Sequence, residues 1–243
     1  MNWTTATMTT PDDARTASAV LTINNMHFQW PRNATAWHIP DLQLRAGEHG
    51  FLHGASGSGK STLLALLAGL TVPQSGKITL LGQHFSSRSR RQRDRLRADH
   101  IGIIFQQFNL VPYLPAIDNV QLPGHFSRRR RERVHDALYD AARHLLQTLA
   151  VPESLWRSPV TALSVGQQQR VAAARALLGA PELILADEPT SALDTDNRDR
   201  FLELLMDQAR QANSTIVFVS HDPALGRRFS QHHDMQQWQE VPA

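Results

Sequence analysis

The chain has 243 residues, a hydrophobic fraction of 41% and a formal net charge of +3, which is enough apolar material for one large α/β core. Its best apolar run, Leu63–Leu70, is far shorter than the ~18 residues that cross a bilayer, and the polar start lacks the basic and apolar regions of a secretory signal. Cysteine is absent, which excludes disulfides, thiol catalysis and cysteine–zinc sites.

Residues 1–18, Thr-rich and polar, read as a disordered lead-in, with a single folded domain expected over 19–243. Short apolar segments predict strands at Val20–Ile23, Trp37–Ile39 and Leu42–Leu44, and a buried strand at Gly50–His53. A helix starts near Lys60, and a strand spans Lys77–Leu81. Residues 88–98 read as a polar helix, and Ile101–Phe105 as a buried strand. From about 112 to 160 the pattern is helical, with breaks expected at Pro112, Pro115, Pro123, Pro152 and Pro159. Strands return at Leu183–Ala186 and Thr215–Val219, either side of a helix over Asp196–Gln211. The run IVFV has the apolar, β-branched content of a strand covered on both faces, as in parallel sheets. An α/β core interrupted by a mostly helical insert follows. Two basic runs, Arg88–Arg97 and Arg128–Arg133, read as solvated helix faces because Asp94 and Glu132 interrupt them; an anionic membrane surface or nucleic acid is the other reading.

The chemistry begins at Gly54–Thr62, GASGSGKST, where Gly54, Gly59, Lys60 and Ser61 meet the pattern G-x4-G-K-[ST] between a strand and a helix. In such a loop Gly57 and Gly59 let backbone N–H groups approach phosphates, with Ser56, Ser58 and Thr62 beside them. Lys60 supplies charge to the β- and γ-phosphates and Ser61 a hydroxyl for Mg²⁺. LILADE, Leu183–Glu188, is an apolar strand ending in two carboxylates. Asp187 is placed to bind Mg²⁺, and Glu188 to polarise the attacking water as general base.

Between these lies LSVGQQQR, Leu163–Arg170, continuing into VAAARALL. This resembles the signature of ATP-binding cassette (ABC) ATPases, usually LSGGQQQR, and the resemblance covers roughly residues 20–235. It implies a P-loop NTPase core with N-terminal antiparallel strands and a helical subdomain inserted at about 107–165. By this resemblance Ser164 and Gly166 close on the γ-phosphate of ATP held by an opposite subunit. Gln106 is similar to the glutamine that touches Mg²⁺ and links nucleotide state to the insert. Asp194, in PTSALD, belongs to a dimer-facing loop, His221 resembles the switch histidine that reaches the γ-phosphate, and Trp30 stands where an aromatic stacks on adenine, with Phe28 as competitor. Val165 departs from the usual glycine, and because a β-branched residue resists positive φ it is expected to constrain the backbone there.

FQQFNLVPYLPAIDNVQLP resembles the branch that includes the lipoprotein-releasing and macrolide-export ATPases (LolD and MacB), with Pro115 in place of a threonine. The resemblance implies an ATPase using ATP and Mg²⁺, working as a homodimer. It further implies separate integral membrane permease subunits docked on the helical insert, at the cytoplasmic face of the inner membrane, for export or extraction from the membrane. The rival is a soluble ABC ATPase acting on nucleic acid or ribosomes. The doubled cassettes or inserted coiled coils of those relatives are not in this sequence, so nucleic acid is not an expected partner.

Overall fold

Alternating apolar and polar residues bury one face of β1 (Ala19–Gln29) and β2 (Ala36–Arg45), which pair antiparallel with Ile23 opposite Leu42 and Phe28 opposite Trp37. The structure, a computed structural model, describes residues 19–30, 36–55, 57–134 and 137–240. The lead-in expected at 1–18 and the loop residue Ser56 lie outside the described residues. β4 (Ser75–Leu80) and β5 (Gln83–His84) extend this sheet beyond β1, and β10 (Gln239–Glu240) adds to β2, giving the order β10-β2-β1-β4-β5.

The second sheet is wholly parallel. Its order is β6 (Ile101–Ile104), β7 (Leu183–Asp187), β8 (Thr215–Ser220), β3 (Gly50–His53) and β9 (Gln231–Asp234). β8 is buried at every residue, as its β-branched run predicts. Side chains alternate across the sheet. Leu183, Leu185, Val217 and Val219 join a core with the antiparallel sheet and α1 (Lys60–Leu67). Ile184, Ala186, Ile216 and Phe218 face a second core, shared with α3 (Ala116–Phe126), α5 (Leu138–Thr148), α6 (Val165–Leu177) and α7 (Thr195–Gln211).

Several local expectations change. The two strands expected on either side of Pro40 are one. Pro40 stands between the paired residues Ile39 and Asp41, opposite Asn25 at φ 43°, and the missing N–H interrupts the ladder without ending the strand. Pro123 lies inside α3 instead of breaking it, three residues from the helix end. The departure at Pro115 removes a side-chain cap from α3. Backbone carbonyls of Ser158 and Trp156 take over, accepting from the N–H groups of Ala116 and Ile117 at 3.0 and 2.9 Å.

The basic runs are not simply solvated faces. Arg128–Arg133 forms α4, whose Arg130 is 2% exposed and donates to the carbonyls of Ala176, Leu178 and Ile101 at 3.4, 3.2 and 2.5 Å. Arg129 and Arg133 both pair with Glu182, at 2.7 and 2.6 Å, and His100 meets the same carboxylate at 2.9 Å. The run staples α4 to the end of α6 and the start of β6. In α2 (Arg90–His100), Arg93 and Arg97 likewise donate to the carbonyls of Gly69 and Ala68. Arg90, Arg91, Arg128 and Arg131 remain exposed.

Candidate functional site

The loop after β3 turns into α1 through Gly59, which caps the helix in the left-handed conformation at φ 84°. A Cβ there would stand 1.9 Å from Cζ2 of Trp37, so glycine is required both by the dihedral and by the ring behind it. Lys60 is buried, and its ammonium donates to the carbonyls of Gly54 and Ala55 at 2.9 and 2.8 Å. It also pairs with Glu188 at 3.0 Å. Glu188, at φ 42°, uses its other oxygen to meet Nδ1 of the largely exposed His221 at 3.1 Å. Its N–H donates to the Val219 carbonyl, which anchors this turn to β8.

Across the cleft the Ser61 hydroxyl donates to Asp187 at 2.8 Å. Burial raises the Asp187 pKa and the neighbouring Glu188 adds to that, while Ser61 and Lys60 oppose it. Gly57, Gly59, Lys60, Ser61, Thr62, Gln106, Asp187, Glu188 and His221 thus line one cleft of about 470 Å³, so residues more than a hundred positions apart in sequence meet there. Trp30 lies beside it, 44% exposed, donating through Nε1 to the Thr62 hydroxyl at 3.1 Å. Its competitor Phe28 is buried edge-on beneath it and belongs to the sheet core.

Ser61 and Asp187 form an all-oxygen donor pair, the kind Mg²⁺ accepts when substrate phosphates and water complete its shell. Among the described residues no group of three or more His, Asp or Glu makes a self-sufficient metal cage. The Ser61–Asp187 pair fits a cation whose remaining ligands come from phosphate and water.

The signature residues are elsewhere. Ser164 caps α6, accepting from the Gln167 N–H, and Gln167 reaches back to the Ser164 N–H at 2.9 Å in a capping box. Ser164, Gly166 and Asp194 line a different cleft, of about 530 Å³, together with Arg170, Asn197 and Arg200. Asp194 caps α7, accepting from the Asn197 N–H at 2.9 Å, and those contacts hold its pKa down. Val165 is the first residue of α6, exposed and without positive φ, so the constraint expected of it does not arise: the strain a β-branched residue meets at positive φ is absent here.

Asn119 is a residue the sequence reasoning left without a role. Fully buried on α3, it accepts from the Val111 N–H at 2.7 Å and donates to the carbonyls of Val111, Leu114 and Pro115. It pins the loop that follows Gln106 to the first helix of the insert. Its place in the quoted motif was the available signal.

A parallel sheet with a phosphate-type loop after one strand, carboxylates after a neighbouring strand and a capped glutamine-rich helix defines a nucleotide-hydrolysing cassette. The family model described as "ABC transporter" matches residues 38–191. YbbA of Escherichia coli K12, an uncharacterised ABC transporter ATP-binding protein, is 42% identical over 192 residues, covering 77% of this chain and 80% of that protein. The lipoprotein-releasing system ATP-binding protein LolD of Hydrogenovibrio crunogenus is 38% identical over 195 residues, covering 80% and 83%. Among solved structures, the ATP-binding cassette MJ0796 in a dimeric post-hydrolysis state with ADP and Pi superposes with a TM-score of 0.76, 31% identity and coverage of 88% and 93%. The chain belongs to the ATP-binding proteins of ABC transporters. It is an ATPase whose hydrolysis is coupled to transport.

Proposed function

We propose that the working unit is a head-to-tail pair of these chains holding two ATP–Mg²⁺ between them, and that its closing and opening drive a separate membrane permease. The observation that carries this is the separation of the two clefts. The one with Lys60 and Glu188 and the one with Ser164 and Gly166 share no lining residue, so one chain does not bring a signature to its own phosphate loop. A second copy supplies it, with the capped N-terminus of α6 as an anion site. The post-hydrolysis MJ0796 cassette, solved as a dimer with ADP and Pi, supports the arrangement.

In each site the Gly54–Thr62 loop cradles the phosphates and Trp30 covers the adenine. Phosphate draws Lys60 away from Glu188, which leaves that carboxylate able to take a proton from the attacking water. His221 orients Glu188 and reaches toward the γ-phosphate. Ser61, Asp187 and Gln106 hold Mg²⁺, which when bound neutralises phosphate charge. Asp194 holds the start of α7 at the pairing face. The helical insert, about residues 107–165, receives the permease. An apolar groove lined by Ile103, Phe105, Leu122 and Phe126 opens where it meets the core.

No helix among the described residues is long and apolar enough to cross a membrane. Similarity to the ATP-binding proteins of ABC transporters supports placing the chain at the cytoplasmic face of the membrane, held there by the permease. Export, or extraction from the membrane, is the direction that similarity to LolD favours. Arg93, Arg97, Arg129, Arg130 and Arg133 bond to carbonyls or to Glu182 of this same chain, which favours a structural role for part of the two basic runs over the nucleic-acid reading.

Light scattering of the Glu188→Gln variant tests the pairing. Mass should double on adding ATP and return to that of one chain when Ser164 and Gly166 are replaced by bulky residues. Co-purification with a multi-span permease is the expected partner result; salt-sensitive RNA binding without a permease would overturn the transport assignment.

A further inference from the structure

The phosphate loop is braced by a segment that no motif includes. After β9 the chain makes a 3₁₀ turn over Met235–Trp238 and enters β10, where Gln239 pairs with Trp37 of β2. Three contacts bear on the loop from this quarter. The Trp37 ring fills the space behind Gly59, Met235 Cβ would stand 3.3 Å from a Cβ at Gly54, and Gln239 Nε2 donates to the Ser58 carbonyl at 3.0 Å. Trp238 is buried in the core shared by the two sheets, so the segment bearing Gln239 is itself anchored.

We infer that Gln239 is a positioning residue for nucleotide binding, aiming the Gly59 amide into the phosphate cleft. The carbonyl of Ser58 and the N–H of Gly59 belong to one planar trans peptide unit, in which they point in opposite directions. A side chain that holds the carbonyl on one side therefore fixes the N–H on the other, and Gly59 lines the cleft with Lys60 and Ser61. Gly59, at φ 84° and without a side chain, leaves this peptide plane free to rotate unless something outside the loop fixes it. The Ser58 hydroxyl does not do so: it is buried and makes no hydrogen bond among the described residues. Gln239 holds this carbonyl from outside the loop.

The inference rests on reading Gly54–Thr62 as the nucleotide loop, and its test keeps the two apart. ADP affinity by titration calorimetry, KM and kcat for ATP, and melting temperature are measured on the full chain for Gln239→Ala, Gln239→Glu, Gln239→Lys and Lys60→Ala. Gln239→Ala should weaken ADP binding and raise KM about fivefold, the equivalent of one net hydrogen bond of ~1 kcal/mol, with kcat at saturation unchanged and a fall in melting temperature no larger than the roughly 2–4 °C that one such bond is worth. Gln239→Glu, similar in shape but an acceptor, should do at least as much harm. Gln239→Lys retains a donor and should recover most of the affinity. Unchanged ADP affinity in Gln239→Ala beside a large loss in Lys60→Ala overturns the role of Gln239 and leaves the loop reading standing; no loss in Lys60→Ala overturns the loop reading itself. A Gln239→Lys variant as weak as Gln239→Ala, or a melting temperature in Gln239→Ala lowered by well over about 4 °C, would reduce Gln239 to a structural residue and refute the inference.

Discussion

Arg130→Met removes the cation that joins α4 to the core while keeping most of its stem volume. The size of the effect comes from two opposing contributions. Burial lowers the Arg130 pKa to about 10 despite the attraction of Glu182 and Asp99. That fall marks a cost to the charge of roughly 3 kcal/mol. Against it stand three hydrogen bonds from a charged donor to the carbonyls of Ile101, Ala176 and Leu178, each worth ~1.5–3 kcal/mol. The bonds win, and the variant should lose about 3 kcal/mol. For a chain of this size that is a fall in melting temperature of roughly 6–12 °C, read by circular dichroism. Arg130→Lys should melt with the methionine variant, because a compact ammonium does not span carbonyls on two segments. A methionine variant melting within about 2 °C of the wild type, or a lysine variant that restores it, would refute the account.

Four further outcomes follow from the site and its supports. Burial raises the Glu182 pKa, but hydrogen bonds from His100 and Arg129 more than reverse this and leave it at about 2. Its stabilisation is therefore full above the ordinary glutamate range and lost as pH falls toward that value. Glu182→Gln should cost about 2–3 kcal/mol in urea unfolding at pH 7 and nothing near pH 2, and a gap independent of pH would refute this. Asp187 has a raised pKa, so its charge opposes folding above that pKa; Asp187→Asn should melt no lower than wild type at pH 7 while losing Mg²⁺-dependent phosphate release. Trp30→Ala should raise KM for ATP without lowering the melting temperature, whereas Phe28→Ala should cost ~3–5 kcal/mol of stability, since only the second ring is buried. Gly59→Ala should abolish nucleotide binding, and shrinking Trp37 in the same chain should recover only part of it, because the ring is removed but the positive φ remains.

The sequence by itself determined the class of chemistry and an α/β core interrupted by a mostly helical insert. A glycine-rich loop between strand and helix, two carboxylates ending an apolar strand and a β-branched run buried on both faces are local patterns, and local backbone and burial preferences decide what they become. Even so, local rules overstated the prolines. Pro40 and Pro123 each remove one N–H, a cost that packing around β2 and α3 absorbs.

Tertiary structure decided what depends on contacts between distant residues. Charge counting assigns Arg128–Arg133 to solvent, yet Arg130 is buried, because three carbonyls from β6 and α6 converge where α4 docks. The constraint expected at Val165 vanished once that residue proved to be the first of a helix. Phe28 and Trp30 are equivalent in sequence and separate only when the sheet buries one ring and leaves the other beside Thr62. Gln239 lies 181 positions from Ser58 and carries no motif. A hydrogen bond across that separation has no sequence period to announce it; it exists because β10 pairs with the edge of β2 and brings Gln239 against the phosphate loop.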